Sequence, residues 1–423
     1  MELSRRKLLW LGGAAVSVAA LPLIFRSRRP PSSRLVHDPE GLLDLPPGFR
    51  YQILDRAGTP MSDGYRVPSL PDGMGCFERG DQLVLMRNHE VTRHIGHGAY
   101  SAGNAPKEAY DPTCFGGVTR LVVDSNRLER TSSNLVLTGT LKTCAGGRCP
   151  WGWLACEEIF EDRHGYVFLC RTEHERVAEP ERIAGYGRFA HEAVGFDPET
   201  HVAYLTEDRA DSCLYRFVPT RKDRPFEGKL QALVIDGQPG IETAIRLSPG
   251  ARHSVSWVDV PEPDPKEDTA RFGARERGAA AFRRGEGGFF TGSTFHFVTT
   301  LGGKKDRGQV FALRVGRGGA ADELVLLAES ADPNVLDCPD NVTVSPNGHV
   351  YMAEDGTDGN FIRGLTPDGY VYDVAFNRAG PGEMSGLCFA PDGNTLFASL
   401  FLEGITLAIR GPFSTLGKGR VRS

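Results

Sequence analysis

The sequence predicts an all-β fold, a β-propeller of about six blades with loop insertions. Three observations predict it. Short runs of β-formers with apolar alternation recur along the chain. Pro-(Asp/Asn)-Gly or related turn signals stand beside them, as in Phe196-Asp197-Pro198, Ser345-Pro346-Asn347-Gly348, Thr366-Pro367-Asp368-Gly369 and Ala390-Pro391-Asp392-Gly393. There proline presets φ and glycine supplies φ > 0. Long amphipathic helices are absent. The strand units recur irregularly, at roughly 40–60 residues, near the length of a four-stranded blade. High glycine (51) and proline (28) fit many strands joined by tight turns.

In chain order, residues 1–30 stand apart from the fold. Ser4-Arg5-Arg6-Lys7-Leu8-Leu9 precedes an apolar run from Leu8 to Phe25, the pattern of a twin-arginine export signal. Arg26, Arg28 and Arg29 follow the run and leave a retained membrane anchor open. Residues 31–423 then read as a single propeller domain. Its strands include those ending at Glu90, Glu157, Glu207 and Glu354, together with Gly165 to Glu173, Ser293 to Thr300 and Asn394 to Leu400. Val342 to Val344 and Val350 to Met352 flank Pro346-Asn347-Gly348 as a hairpin. The least regular segment, 221–284, carries Pro261-Glu262-Pro263-Asp264-Pro265 and the charge-dense stretch Lys266 to Arg277, and reads as an exposed insertion between blades.

The chemistry lies in what terminates the strands. Four runs of β-formers close at once on carboxylate, at Glu90, Glu157-Glu158, Glu207-Asp208 and Glu354-Asp355. Carboxylates repel one another and resist desolvation, so one such tip is a surface accident, whereas four point to strand ends converging on cations. Glu192, Glu286, Asp340 and Glu383 lie in similar strand-end or turn settings. The candidate metal ligands at these positions are Glu90, Glu157, Glu158, Glu192, Glu207, Glu286, Asp340, Glu354 and Glu383, with Cys144 a candidate thiolate beside them. Oxygen clusters suit calcium, magnesium or manganese, and a nearby thiolate shifts the choice toward iron or zinc. Cys144, in Thr143-Cys144-Ala145-Gly146-Gly147, has small neighbours that permit close backbone approach; on residue type alone a buried structural or disulfide cysteine is the simpler reading. His191 reads equally as an orienting partner of a ligand carboxylate or as a structural histidine, and His94 and His97 as exposed loop residues. Asp340 and Asn341 offer oxygen to a metal or cap a turn.

Other classes are excluded. A net charge of −5 argues against a nucleic-acid binder. There is no Gly-x-Ser-x-Gly elbow, P-loop, His-Glu-x-x-His or Cys-x-x-Cys. Nine cysteines are an odd number, so an exported monomer keeps at least one unpaired.

In order along the chain, Arg87-Asn88-His89-Glu90, Gly116-Gly117-Val118-Thr119-Arg120, Thr143-Cys144-Ala145-Gly146-Gly147 with Pro150-Trp151-Gly152, and Cys156-Glu157-Glu158 form the first half of a motif set. Gly187 to Glu192, Tyr204 to Asp208, Arg284-Gly285-Glu286-Gly287, Gly302-Gly303, Gly308-Gln309-Val310, Pro339-Asp340-Asn341 and Met384-Ser385-Gly386 complete it. Together they resemble the PhoX-type alkaline phosphatases, bacterial proteins exported by the twin-arginine route. The resemblance implies a six-bladed propeller with an iron–calcium centre (Fe3+ and Ca2+) at one end of its channel. It places Cys144 and acids among Glu90, Glu157, Glu158, Glu192, Glu207, Glu286 and Asp340 on the metals, with Cys144, Glu192 and Asp340 as the catalytic candidates. It also implies phosphoric-ester hydrolysis, in which the cations bind phosphate oxygens and activate a nucleophile. Two departures stand out. The chain is shorter than the well-known members, and Cys338-Pro339-Asp340 stands where they tend to read Arg-Pro-Glu. Arg87, Arg188, Arg209 and Arg363 are the candidates to replace that arginine.

The expectation is thus an exported, periplasmic or extracellular metal-dependent phosphatase acting on a small phosphate ester, with the twin-arginine machinery as partner. The rivals are a calcium-dependent lactonase on the same scaffold and a non-catalytic, calcium-stabilised binding propeller.

Overall fold

The computed structural model describes residues 35–418; the leader expected over 1–30 lies outside them. Among the described residues the strands form six four-stranded antiparallel meanders, the blades of a propeller-like ring. From the channel outward, the first blade is Pro71–Arg79, Gln82–His89, Gly116–Asp124 and Arg130–Thr140. The second is Thr143–Cys149, Gly152–Glu157, Val167–Cys170 and Glu181–Ile183. The third is His191–Phe196, Ala203–Glu207, Tyr215–Arg221 and Arg224–Ile235. The fourth is Gly285–Thr291, Thr294–Thr299, Gln309–Arg314 and Asp322–Glu329. The fifth is Pro339–Val344, Val350–Glu354, Phe361–Leu365 and Val371–Asn377, edged by Leu43–Asp44. The sixth is Met384–Phe389, Thr395–Leu400 and Ile405–Arg410, completed by Arg50–Arg56 from the other end of the chain. The six inner strands are neighbours in a closed circuit, the sixth lying against the first.

Alternating side chains explain the packing, because each blade shows one apolar face to either neighbour. An apolar cluster fills every junction. Val84 and Met86 of the first blade meet Trp153 and Phe168 of the second, and Leu154 and Leu169 meet Val194 and Leu205 of the third. Tyr204 and Leu233 meet Phe295 and Phe297 of the fourth. Val298 and Val310 meet Val342 and Val350, Tyr351 and Ala353 meet Leu396 and Leu407, and Phe397 meets Cys76 and Leu85 to close the ring.

The segment 221–284 is more regular than its composition predicts. It contains the outer strand of the third blade, and Arg252–Asp259 then pairs on one side with that strand and on the other with Asp322–Glu329, fusing the third and fourth blades into one nine-stranded sheet. The charge-dense stretch forms the helix Ala270–Glu276, whose Arg271 is buried beside the tip of the third blade. Prolines and charges obscured the alternation of Leu230 to Ile235. All nine cysteines are buried and unbridged.

Candidate metal centre

Inner and second strands run antiparallel, so the start of one and the end of the other meet at the same rim of the ring. Each inner strand carries one extra residue just inside that rim, seen as a one-residue register shift after Pro71, Thr143, His191, Gly285, Pro339 and Ser385. A bulge bends its strand and re-aims the side chain within it. The residues at this point are Asp72, Cys144, Glu192, Glu286 and Asp340; in the sixth blade Ser385 holds the matching rim position, one residue ahead of the shift.

The next residue inward must be small or closely fitted, because it packs on the following blade's backbone. A Cβ on Gly73 meets Ala145 Cα at 2.5 Å, one on Gly287 meets the Asp340 carbonyl at 2.4 Å, and one on Gly386 meets the Asp72 carbonyl at 2.5 Å. The ring is thus drawn tight immediately beneath the acids. Further in, the channel turns apolar, a cavity of about 460 Å³ whose walls include Met74, Phe77, Val194, Phe289, Val342 and Leu387.

Second-strand ends follow a matching rule. His89, Glu157, Glu207 and Glu354 pair in register with the first residue of their inner strands. Their side chains turn into the blade. Glu157 accepts from the backbone N–H groups of Leu141 (2.9 Å) and Gly165 (2.9 Å) and bonds His164 Nδ1 at 2.6 Å. Glu207 accepts from Cys213 N–H, Tyr215 hydroxyl and Arg271. Glu354 accepts from Asp337 and Phe361 N–H and from Arg363. The following residue has opposite strand polarity and faces the rim: Glu90, Glu158, Asp208, Thr300, Asp355 and Phe401. Its N–H donates to the carbonyl of Leu70, Lys142, Ala190, Arg284, Cys338 and Glu383 respectively. One hydrogen-bond motif is therefore repeated in all six blades.

The outcome is an arc of buried ligand atoms across the rim. Asp72, Glu90 and Cys144 form one group, and Cys144, Glu158 and Glu192 a second. Glu192, Glu286 and Asp340 form a third, and Asp340, Asp355 and Glu383 a fourth; within each, one ligand atom per residue lies within 4.8 Å of the others. Cys144, Glu192 and Asp340, the three catalytic candidates, are the shared links between groups. The Cys144 thiol is 3.1 Å from Glu192 Oε1 and 3.4 Å from Asp72 Oδ2.

Of the expected ligand set, Glu90, Cys144, Glu158, Glu192, Glu286, Asp340 and Glu383 are brought together. Glu157, Glu207 and Glu354 are not; their oxygens cap backbone and brace tip loops. Asp72 and Asp355 join the arc although the expected set omitted them. The sixth blade departs from the pattern, since Ser385 donates to the Pro71 carbonyl at 2.7 Å.

Two cations share the rim. Lys142 Nζ lies 2.7 Å from Glu158 and 3.8 Å from Glu90. Arg284 grips Asp208 through Nε (2.8 Å) and Nη2 (3.0 Å) and reaches Glu286 at 2.5 Å. Both hold left-handed backbone conformations (φ +53° and +54°), as do Leu70 and Cys338 at the same position in their blades. Non-glycine residues pay conformational energy there, and such strain clusters at functional sites. None of the four arginines expected to replace the missing one serves the arc. Arg87 pairs with Asp55, Arg188 binds the carbonyls of His164 and Pro265, Arg209 pairs with Asp268, and Arg363 binds Glu354 and Asp373. Arg284 occupies, on the fourth blade, the position that Cys338 occupies on the fifth.

The electrostatics mark the site as one that calls for positive charge. Burial, then the neighbouring Asp208 and Asp340, push the Glu286 carboxyl well above the usual range despite Arg284. Burial also opposes ionisation of Asp208, but Arg284 and Lys142 outweigh it and hold that carboxyl low. Glu286 Oε2 is buried without a hydrogen-bond partner, a costly state that a cation relieves. The donor set, many oxygens and one sulfur, fits hard cations beside a transition metal.

A family model described as Alkaline phosphatase PhoX matches residues 31–136 and 123–404. Among solved structures, PhoX of Pseudomonas fluorescens in complex with vanadate, a transition state analogue, is 17% identical. Its TM-score is 0.68 over 91% of this chain and 98% of that one. A gluconolactonase, XC5397 of Xanthomonas campestris, aligns at 13% identity and TM-score 0.47 over 92% and 99% of the two chains. The calcium-binding protein regucalcin of Agrobacterium tumefaciens aligns at 13% and 0.43 over 86% and 96%. A comparison with curated protein sequences finds no match.

Proposed function

We propose a reaction from one premise: the chain belongs to the alkaline phosphatase PhoX family. A phosphatase is what that membership implies, and the family is metal-dependent. The finer reading is an exported phosphoric-ester hydrolase with an iron–calcium centre at the channel mouth. The observation that carries it is the arc of buried ligand atoms at equivalent bulged positions of successive blades.

In this reading Cys144 holds iron together with Asp72, Glu90, Glu158 and Glu192, since a thiolate favours a transition metal. The oxygen-only groups Glu192–Glu286–Asp340 and Asp340–Asp355–Glu383 hold calcium. Bound there, the cations supply charge neutralisation at phosphoryl oxygens and lower the pKa of a bound water. The chain itself does the positioning. Asp208 fixes the Arg284 guanidinium plane by its two-point grip, leaving Nη1 for an anionic substrate oxygen. Lys142, on Glu158 and near Glu90, adds a second positive charge to the rim.

The test is hydrolysis of p-nitrophenyl phosphate and a bis-ester by purified, metal-loaded protein. Turnover that chelator abolishes, and that Cys144→Ala loses together with bound iron, is the expected result. Loaded protein inert on both esters overturns the reading; lactone turnover instead selects the lactonase, and calcium alone without turnover selects a binding propeller. Export by the twin-arginine route, to the periplasm or beyond, rests on Ser4-Arg5-Arg6-Lys7-Leu8-Leu9. A reporter fused to the first 40 or so residues tests it: Arg5→Lys with Arg6→Lys abolishes its export.

A further inference from the structure

A second cluster of ligand-type side chains lies outside the arc. Asp111 and Cys114 belong to the loop that leads into Gly116–Asp124 of the first blade, and His164 to the loop between Gly152–Glu157 and Val167–Cys170 of the second. Cys114 Sγ is 3.7 Å from His164 Nε2, and Nε2 is 3.6 Å from Asp111 Oδ2. The sulfur–nitrogen contact is a long hydrogen bond, while the nitrogen–oxygen separation of 3.6 Å is too long for one. Both distances also match those around a tetrahedral zinc ion. With bonds of about 2.0–2.3 Å it sets N and S roughly 3.5 Å apart and N and O roughly 3.3 Å apart.

The surroundings are those of a built site. His164 Nδ1 lies 2.6 Å from Glu157 Oε1, which makes Nδ1 a proton donor and points Nε2 toward Cys114 and Asp111. Glu157 is itself fixed by three backbone N–H groups, of Leu141, Gly165 and Tyr166. Asp111 Oδ1 is occupied by the N–H and hydroxyl of Thr113, while Oδ2 faces the histidine. Cys114 and His164 are fully buried and Asp111 nearly so. On the outer side Arg163, whose side chain is largely exposed, bonds Asp111 Oδ2 at 2.9 Å.

We propose that Asp111, Cys114 and His164 bind one zinc-type ion, distinct from the channel centre, which clamps the first blade's loop to the second blade. Sulfur, imidazole and one carboxylate select a borderline metal over calcium or magnesium, and Arg163 swings outward to admit the ion and a water as fourth ligand.

The test uses full-length protein carrying Cys144→Ser, so that the channel offers no thiolate. This protein, dialysed with zinc and then against buffer, is expected to retain one equivalent more, by elemental analysis, than the same protein with Cys114→Ser added. Cobalt in its place is expected to give a thiolate-to-cobalt absorption band. Adding Cys114→Ser removes both. Zinc retained equally by the single and double variants, or by neither, overturns the proposal. If the double variant does not fold, X-ray absorption at the zinc edge of the Cys144→Ser protein decides: a sulfur neighbour at about 2.3 Å upholds the site and its absence overturns it.

Discussion

Arg284 bears the heaviest electrostatic load of any single side chain at the mouth, because it compensates Asp208 and Glu286 at once. Arg284→Lys keeps the charge but loses the planar two-point grip; in the phosphatase reading KM for a phosphate ester rises at least about tenfold, as steady-state kinetics would show. Arg284→Gln strips the buried Asp208 carboxylate of its main partner and costs about 3–5 kcal/mol in denaturant unfolding of metal-free protein. Far from the mouth, burial and then Arg314 pull the His296 imidazole down to about 4. The folded protein therefore keeps this ring neutral while the unfolded chain takes a proton below about pH 6.5, so stability falls as pH drops from 6.5 toward 4 and levels off below. Discounted for partial exposure, the loss is on the order of 2 kcal/mol, and His296→Gln removes that part of the pH dependence of denaturant unfolding. At this scale the sequence was partly legible. The acid doublets announced a charged rim, but only register tells which member of Glu157-Glu158 or Glu354-Asp355 turns outward. Asp72 was hidden because Pro71-Asp72-Gly73 has the composition of a tight turn, yet it opens a strand.

Among the elements, the bulged start of each inner strand decides whether a propeller rim becomes a ligand arc. The bulge aims one side chain at the mouth, and the small residue after it lets the next blade close in. Gly287→Ala drives a Cβ to within 2.4 Å of the Asp340 carbonyl and 2.8 Å of Asn341 Cα. The backbone there has no freedom to yield, so a loss of about 2–3 kcal/mol is expected in denaturant unfolding, with metal affinity at Asp340 falling alongside. Hairpins and their turns were readable from proline, glycine and alternation. The order of strands within a blade was not, because a second strand and an inner strand carry the same apolar pattern, and the acid-tipped strands proved to be second strands. Arg252–Asp259 escaped notice for a related reason: its burial alternates weakly, and its partners lie in two different blades.

For the molecule as a whole, the arc joins carboxylates from the first to the sixth blade, so cations and fold support each other. Ions bound about a thousandfold above their Kd add roughly 4 kcal/mol, and for a chain of this size chelation should lower Tm by about 5 °C in calorimetry. A metal-free protein with unchanged Tm would remove the structural role of the arc. The overall architecture was the most legible level, since repetition announces a propeller without requiring any single strand to be placed. Ring closure was less so, because the pairing of Arg50–Arg56 with Ile405–Arg410 joins segments at opposite ends of the sequence. That seam makes assembly order matter. As synthesis proceeds, the first of these segments waits as an orphan until the last has left the ribosome, and every nascent intermediate presents a gapped mouth. A closed mouth is therefore a property of the whole chain, and no truncated one presents it.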